Sequence, residues 1–366
     1  MSGKKIKSIA ILTGGGDCPG LNAVIRAVTK TAISKYGLTV WGIEDGYLGL
    51  IEQRLRPMHF DDVSNILTLG GTILGTSNIA NPFKFQVNSA GKKAEMKDLS
   101  DACVQTLKER RVDALICIGG DGTMTSAAAF AKKGLTVIGV PKTIDNDLCG
   151  TDITFGFNTA VNTATEAIDK LHSTASSHHR VMVVEVMGRY AGWIALHSGM
   201  ASGSDCILIP EIPYKLDNLC HYVLRRSQRG KRFSIIVVSE GAKELGGKLT
   251  VRKVIANSPD PIRLGGIANR LAEQLQQMTK LESRAVTLGH IQRGGSPTPF
   301  DRVLATNFGF TAIELLISGK KNCMVAVKGG DFSSVPLSQV AGKIRCVPKN
   351  HSLIKAAKAI NTCFGD

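Results

Sequence analysis

A chain of 366 residues is long enough for two domains or one large two-lobed α/β unit, and 43% hydrophobic with 20% charged residues excludes wholesale disorder. Lys plus Arg outnumber Asp plus Glu by 45 to 30, a formal charge of +15 that raises the local concentration of anions. The basic residues are dispersed, the densest runs being Lys4–Lys7 and Arg225–Arg232, and aromatic residues total only 5%, which argues against nucleic acid as the main partner. No run of 18 apolar residues predicts a membrane span, and the opening MSGKKIKSIAIL lacks a signal-cleavage pattern. The nine cysteines show no Cys-x-x-Cys spacing, so they read as reduced thiols of a cytoplasmic protein.

Short β-rich runs alternate with longer amphipathic ones. In chain order the pattern predicts a strand at Ser8–Thr13, a helix at Gly20–Lys35, a strand at Thr39–Ile43, a helix at Ser100–Arg110, and strands at Ala114–Ile118 and Val137–Val140. A helix at Phe157–Thr174 follows, then strands at Val181–Val186, Cys206–Ile209 and Ser234–Ser239, a helix at Ile262–Met278 and a strand at Ala285–Leu288. Continuously apolar strands between helices imply parallel, doubly wound sheets. Phe85–Lys97 and Lys243–Pro261 are polar and read as surface insertions.

Ligands of open α/β sheets bind beyond the carboxyl ends of strands. Four such ends carry unusual residues. Thr13-Gly14-Gly15-Gly16-Asp17 ends the first strand, where glycines and a helix N-terminus can face an anion, although packing alone also selects glycine in such turns. Gly119-Gly120-Asp121-Gly122-Thr123 admits phosphate oxygens to the backbone, with Asp121 a hard oxygen ligand suited to Mg2+ and Thr123 alternatively a helix cap. Pro141-Lys142-Thr143-Ile144-Asp145-Asn146-Asp147 joins a cation to two carboxylates, which turn chemistry does not readily explain but division between a base and a metal-side carboxylate does. The second half adds Met187-Gly188-Arg189, Glu240 and His290-Ile291-Gln292-Arg293, a set suited to an anionic polyol.

TGGGDCPGLNAVIR, GIEDGYLGL, GGTILGT, IGGDGT, TIDND, SSHHR, VEVMGRYAG and LGHIQRGGSP together resemble the phosphofructokinase family, from Ile9 to about Ile317. The resemblance implies two doubly wound lobes with mainly parallel sheets and an active site in the cleft between them. Residues 1–156 and 293–342 would form the nucleotide and Mg2+ lobe, and 157–292 and 343–366 the sugar-phosphate lobe. It implies transfer of the γ-phosphate of ATP to the 1-hydroxyl of fructose 6-phosphate. Asp145 would be the base, Thr143 would stabilise the transferring group, Asp121 would hold Mg2+, and Asp147 would orient the acceptor or metal waters. Nucleotide would lie over Gly15, Gly16, Gly120, Gly122 and Thr123, with Tyr47 near the adenosine end. Thr143, Ile144, Asp145, Met187, Gly188, Arg189, Glu240, His290, Ile291, Gln292 and Arg293 match the sugar-phosphate site. Arg180 and Arg284 match arginines that reach the 6-phosphate of a neighbouring subunit, so a homotetramer or, second, a homodimer is implied.

The family divides by phosphoryl donor. Gly122 is typical of ATP users, since pyrophosphate users place an excluding Asp there, whereas Lys142 is the residue pyrophosphate users carry. The absent Asp favours ATP, with the pyrophosphate-dependent enzyme as the alternative. Asn78 stands where many relatives carry an Arg spanning both phosphoryl groups, and Lys142 is the expected substitute. Arg26, Arg54, Lys231 and Arg232 would form an effector pocket between subunits or be ordinary surface charges, with His172 at a usual effector Arg position. His178-His179 lacks further metal-ligand partners at a suitable spacing.

Overall fold

The structure, a computed structural model, describes residues 6–87, 95–254 and 262–366. A seven-stranded sheet runs in the order Asp331–Pro336, Cys323–Lys328, Thr136–Pro141, Ala114–Gly119, Ser8–Thr13, Thr39–Ile43 and Leu55–Met58. Its five inner strands are parallel and its two edge strands antiparallel. A second sheet of four parallel strands runs Ser283–Thr287, Val181–Val186, Ser234–Ser239 and Cys206–Leu208. The chain therefore builds most of the first sheet, crosses to build the second, and returns to add two strands to the first.

Alternation along each strand explains the layering. In the first sheet Ile9, Ile11, Ile116, Ile118 and Ile138 face the helices Leu21–Tyr36 and Pro299–Ile317, while Ala10, Leu12, Leu115, Cys117 and Val137 face the helices Ser100–Glu109 and Asp121–Lys132. In the second, Met182, Val184, Val186 and Val237 join the first of these cores through the helices Phe157–His178 and Trp193–Ala201, so one apolar layer is continuous between the sheets. Val181, Val183, Cys206, Ile236 and Val238 pack on the opposite side against the helices Leu216–Gln228 and Ile267–Thr279. Close approach of Leu21–Tyr36 and Pro299–Ile317 depends on Gly309, where a Cβ would meet Ala27 Cβ and the Val24 carbonyl at 2.8 Å.

The helix expected from Ile262 begins at Ile267. Ile262–Leu264 instead pairs antiparallel with Val251–Val254, and Gly265 and Gly266 at φ 134° and 91° break the chain before the helix. Both expected insertions are thus two-stranded ribbons, Phe85–Val87 with Glu95–Lys97 and Val251–Val254 with Ile262–Leu264, whose connecting residues 88–94 and 255–261 lie outside the described residues. Among the described residues no helix is long and apolar enough to cross a membrane.

Candidate active site

The Gly-rich loop after Ser8–Thr13 is held from two sides. The Gly14 amide donates to the Ile118 carbonyl at 2.9 Å and the Gly15 amide to the Ser77 carbonyl at 3.1 Å, while the Thr76 hydroxyl donates to the Gly15 carbonyl at 2.6 Å. Gly15 sits at φ 78°, which turns the loop over Lys142. Lys142 is only 4% exposed, and its ammonium donates to the Gly16 carbonyl. Burial lowers its pKa, partly opposed by Cys18, Asp17 and Asp145 nearby. Asn78 is exposed just beyond Ser77, beside the same loop.

The second loop opens the helix Asp121–Lys132 without a side-chain cap, so Thr123 does not cap it. Thr123 is buried beneath Gly14 and Gly119, where a Cβ would lie 2.6 and 2.2 Å from its Oγ1. Tyr47, expected near the adenosine end, lies under this loop. It is 4% exposed, and its hydroxyl donates to the Thr123 carbonyl at 3.0 Å, so it supports the loop from below. A Cβ on Gly122 would meet nothing within 4 Å, which leaves open space beside the loop. Asp121 Oδ1 accepts from the Gly342 amide at 2.9 Å, and burial outweighs this bond to raise its pKa.

The third loop is the most constrained. Asn146, in the left-handed region at φ 50°, accepts at Oδ1 from the Thr154 amide at 3.0 Å. The Thr154 hydroxyl donates to the Thr143 carbonyl at 2.7 Å, and the Thr143 hydroxyl accepts from the Asp145 amide at 3.1 Å. From the C-terminal part of the chain, Arg345 donates through its guanidinium to the Asn146 carbonyl at 3.1 Å and through its amide to the Asp147 carbonyl at 2.7 Å. Arg345 also lies 4.4 Å from the centre of the Trp193 ring. Asp145 Oδ1 is buried without a hydrogen-bond partner. Burial pushes the Asp145 carboxyl up to about 6, with Glu240 adding to the rise and Arg293, Lys142 and Arg189 opposing it. Asp147 is pushed up to about 7 by burial and then by the charge of Asp145, against a hydrogen bond from Thr143.

The second sheet delivers Met187–Arg189, Glu240 and His290–Arg293 from the carboxyl ends of three parallel strands. Arg293 bridges toward the first sheet, donating to the Asp17 carbonyl at 3.2 Å and lying so close to Gly16 that a Cβ there would be 2.9 Å from its Nη1. Glu240 is raised by burial and by Glu185, with Arg293 and Arg189 pulling it down. Arg189 stacks on Tyr190 at 4.9 Å. His290 and Ile291 stand exposed on the turn Gly289–Arg293. Two residues expected at the sugar-phosphate site have inward-turned side chains: Gln292 is fully buried, accepting from the Met187 amide at 3.2 Å and donating to the Gly289 carbonyl at 3.0 Å, and the Ile144 side chain is fully buried in the core. Gln292 thus fixes the Met187–Gly188 turn, and Ile144 offers only its backbone.

Arg180 and Arg284 are not brought to this cluster. They lie at the opposite, amino ends of Val181–Val186 and Ser283–Thr287, where Val181 pairs with Ser283. Both bind Glu282, at 2.9 and 2.5 Å. A strand of five or six residues separates the two ends by roughly 17–20 Å. His179 is the left-handed C-cap of Phe157–His178, a local backbone role. Arg54 is paired with Asp45 at 2.6 Å and Glu52 at 2.8 Å, His172 binds the Ser202 carbonyl at 2.8 Å, and Arg26 is partly buried on Leu21–Tyr36. Lys231 instead lines a basic cavity of about 540 Å³ with Arg225, Arg226 and Arg229, remote from Arg54 on the other sheet.

Sequence reasoning missed three supports. Glu185, 3% exposed in the middle of the second sheet, accepts from the Gly266 and Ala268 amides at 3.0 Å and so anchors the N-terminus of Ile267–Thr279. Its carboxylate in an otherwise apolar strand, Val181–Val186, was the available signal. Gly342 and Arg345 carried no local signal, since they act across the fold.

The Phosphofructokinase family profile matches residues 8–316. The "ATP-dependent 6-phosphofructokinase 2" of Clostridium perfringens is 55% identical over 362 residues, 99% of each chain. The "Pyrophosphate--fructose 6-phosphate 1-phosphotransferase" of Amycolatopsis mediterranei is 49% identical over 344 residues, 93% of this chain and 96% of that one. Among solved structures, the phosphofructokinase of Pichia pastoris is similar at a TM-score of 0.77 and 33% identity, covering 92% of this chain and 35% of that longer one. The pyrophosphate-dependent phosphofructokinase of Nitrosospira multiformis shares the fold at a TM-score of 0.80 and 21% identity. With its Gly-rich, Gly-Gly-Asp-Gly and Thr-Ile-Asp-Asn-Asp loops gathered at the carboxyl ends of one parallel sheet, the chain belongs to the phosphofructokinase family.

Proposed function

We propose that the chain is an ATP-dependent 6-phosphofructokinase that transfers the γ-phosphate of ATP to the 1-hydroxyl of fructose 6-phosphate, giving fructose 1,6-bisphosphate and ADP. The observation that carries this reading is Asp145: a buried carboxyl oxygen without a partner, at about 6, among Lys142, Arg189 and Arg293. A base at that value is charged at neutral pH and strong enough to take the hydroxyl proton as the oxygen attacks. The cations around it oppose the negative charge that gathers on the transferring group. Arg189, Glu240, His290 and Arg293 hold the sugar phosphate, with Met187 and Gly188 shaping the wall, and Gly15, Gly16, Gly120, Gly122 and Thr123 take the nucleotide. Tyr47 acts through Thr123. We read residues 1–156 and 293–342 as one lobe and 157–292 and 343–366 as the other, with the site in their cleft.

Mg2+ fits this site. Asp121 and Asp147 are both pushed up by burial, with Asp121 adding to the rise at Asp147, and their oxygens are hard donors whose charge a divalent cation would relieve. Mg2+ held by one or two carboxylates is completed by substrate phosphates and water. When bound, Mg2+ neutralises phosphate charge. Arg180 and Arg284, remote from their own cluster, complete the site of a second copy, so we read the working form as a cytoplasmic homo-oligomer, tetramer before dimer.

Pyrophosphate as donor is the second reading, favoured by Lys142 beneath the Gly15–Gly16 loop. Purified protein given fructose 6-phosphate and Mg2+ with either donor separates the two. ATP-only formation of fructose 1,6-bisphosphate is expected. Turnover with pyrophosphate alone would overturn the donor assignment, and binding of both substrates without turnover would overturn the enzyme.

A further inference from the structure

We propose that Cys206 and Cys363 form a reversible thiol–disulfide site, oxidised by hydroperoxides, that locks the C-terminal segment onto the outer edge of the second sheet. Cys206–Leu208 is the edge strand of that sheet, and its free side is met by a single parallel bridge from Cys363. The Cys363 amide donates to the Asp205 carbonyl at 2.9 Å, and the Cys363 carbonyl accepts from the Ile207 amide at 2.8 Å. These two bonds place Cys363 directly opposite Cys206 with both side chains on one face. Neighbouring strands lie about 4.7–4.9 Å apart, within the Cα separation that disulfides span.

The two sulfurs differ in what they can do. Cys206 is fully buried, and burial holds its thiol well above the usual range. Cys363 is half-buried and lines a cavity of about 560 Å³ with Asn218, His221, Arg225 and Asp366, so a small oxidant can reach it. The hydrogen bond with Cys206 lowers the Cys363 thiol to about 7, and the Gly365 amide donates to its sulfur at 3.3 Å. At neutral pH a large share is thiolate, the form that attacks. By contrast Cys18, Cys103 and Cys117 are pushed up to about 12 by burial, and exposed Cys346 is also raised.

The chemistry balances in two steps. The Cys363 thiolate attacks one oxygen of a hydroperoxide, the O–O bond breaks, and Cys363 becomes a sulfenic acid as water or an alcohol leaves. The Cys206 thiol then attacks that sulfur, losing its proton, and water leaves as the S–S bond forms. Two thiols lose two electrons and the peroxide gains them. A dithiol reverses the exchange. The product ties down Asn361 and Thr362, which form one wall of the basic cavity, together with the Gly365 carbonyl that accepts from the Lys215 amide at 2.8 Å.

The test is peroxide titration of the full chain followed by alkylation and non-reducing peptide mapping. A few equivalents of hydrogen peroxide are expected to yield a cross-linked peptide joining Cys206 to Cys363, two fewer titratable thiols, a Tm higher by ~3 °C or more, and full reversal with a dithiol reductant. Cys206→Ser is expected to stop at a sulfenic acid on Cys363 that a dimedone probe captures. Cys363→Ser should leave Cys206 reduced at the same dose. Wild-type protein in which Cys363 proceeds to the sulfonic acid with Cys206 untouched, in which both remain reduced while Cys346 oxidises, or in which the cross-link joins other cysteines, overturns the proposal without recourse to either variant.

Discussion

Replacing Lys142 with methionine keeps an unbranched side chain one atom shorter and removes its charge. The ammonium is 4% exposed beneath the Gly15–Gly16 loop, so solvent screens it little, and Asn78 supplies no charge beside that loop. Loss of one preorganised donor in such a site lowers kcat by about 10²–10³, or ~2.7–4 kcal/mol of transition-state stabilisation. The pH profile should move as well. Asp145 must be ionised to accept a proton, so activity falls as pH drops through about 6. Lys142 is one of the cations that oppose the rise at Asp145, and without it the carboxyl titrates higher and the acid limb shifts toward neutrality. Coupled assay of kcat and kcat/KM from pH 5 to 9 reads both effects. Turnover within about threefold of wild type, a difference of ~0.7 kcal/mol, together with an unmoved acid limb, would refute the role given to Lys142.

Five further substitutions, in four experiments, probe other parts of the site. An added Cβ at Gly122 meets nothing within 4 Å, so Gly122→Asp should fold normally while ATP turnover drops at least about tenfold and pyrophosphate turnover does not; retained ATP turnover would remove Gly122 from donor choice. Asp147→Asn should raise the Tm of the substrate-free protein by ~3 °C at pH 8 and by less at pH 5. A carboxyl raised to about 7 binds its proton more tightly folded than unfolded, so its penalty grows as pH rises from the ordinary carboxylate range through 7. Equal shifts at both pH values would contradict this sign. Arg180→Ala and Asp145→Asn, each nearly inactive alone, should regain activity when dissociated and reassembled together, because some sites then combine an intact Asp145 with a partner's intact arginine; no regain would place Arg180 outside a shared site. Arg345→Ala removes the guanidinium bond to Asn146 and the stacking on Trp193, and should lower kcat by about tenfold while KM for fructose 6-phosphate stays within about twofold, as steady-state kinetics would show.

Strands such as Ser8–Thr13, Thr39–Ile43, Val181–Val186 and Ser234–Ser239 were legible because helices cover both faces and leave continuous apolar runs. Leu55–Met58 was not, since Pro57 removes a ladder donor and reads as a break, yet an edge strand tolerates it. Cys323–Lys328 and Asp331–Pro336 were missed although Gly329-Gly330 between them is an ordinary hairpin signal. The four reactive loops were visible as glycines, carboxylates and cations at strand ends. Which side chains face a ligand was not visible, because Tyr47, Ile144 and Gln292 are turned inward by packing that the local sequence does not encode. Arg345 acts on Asn146 from 199 residues away, a separation no motif spans.

The return of the chain to its first sheet sets an order of assembly. Thr136–Pro141 leads directly into the reactive loop, and until Cys323–Lys328 is made it is an unpaired edge of buried-type residues. At ~5–20 residues per second that edge stays open for roughly 10–40 s, long after every strand of the second sheet has emerged. Such an edge is a template for pairing with other nascent chains. Gly342 and Arg345, which pin Asp121 and the Asn146–Asp147 backbone, arrive later still. The Thr143–Asp147 loop therefore gains its final shape only after Arg345 has emerged, and a chain cut short before Met324 would be both inactive and adhesive.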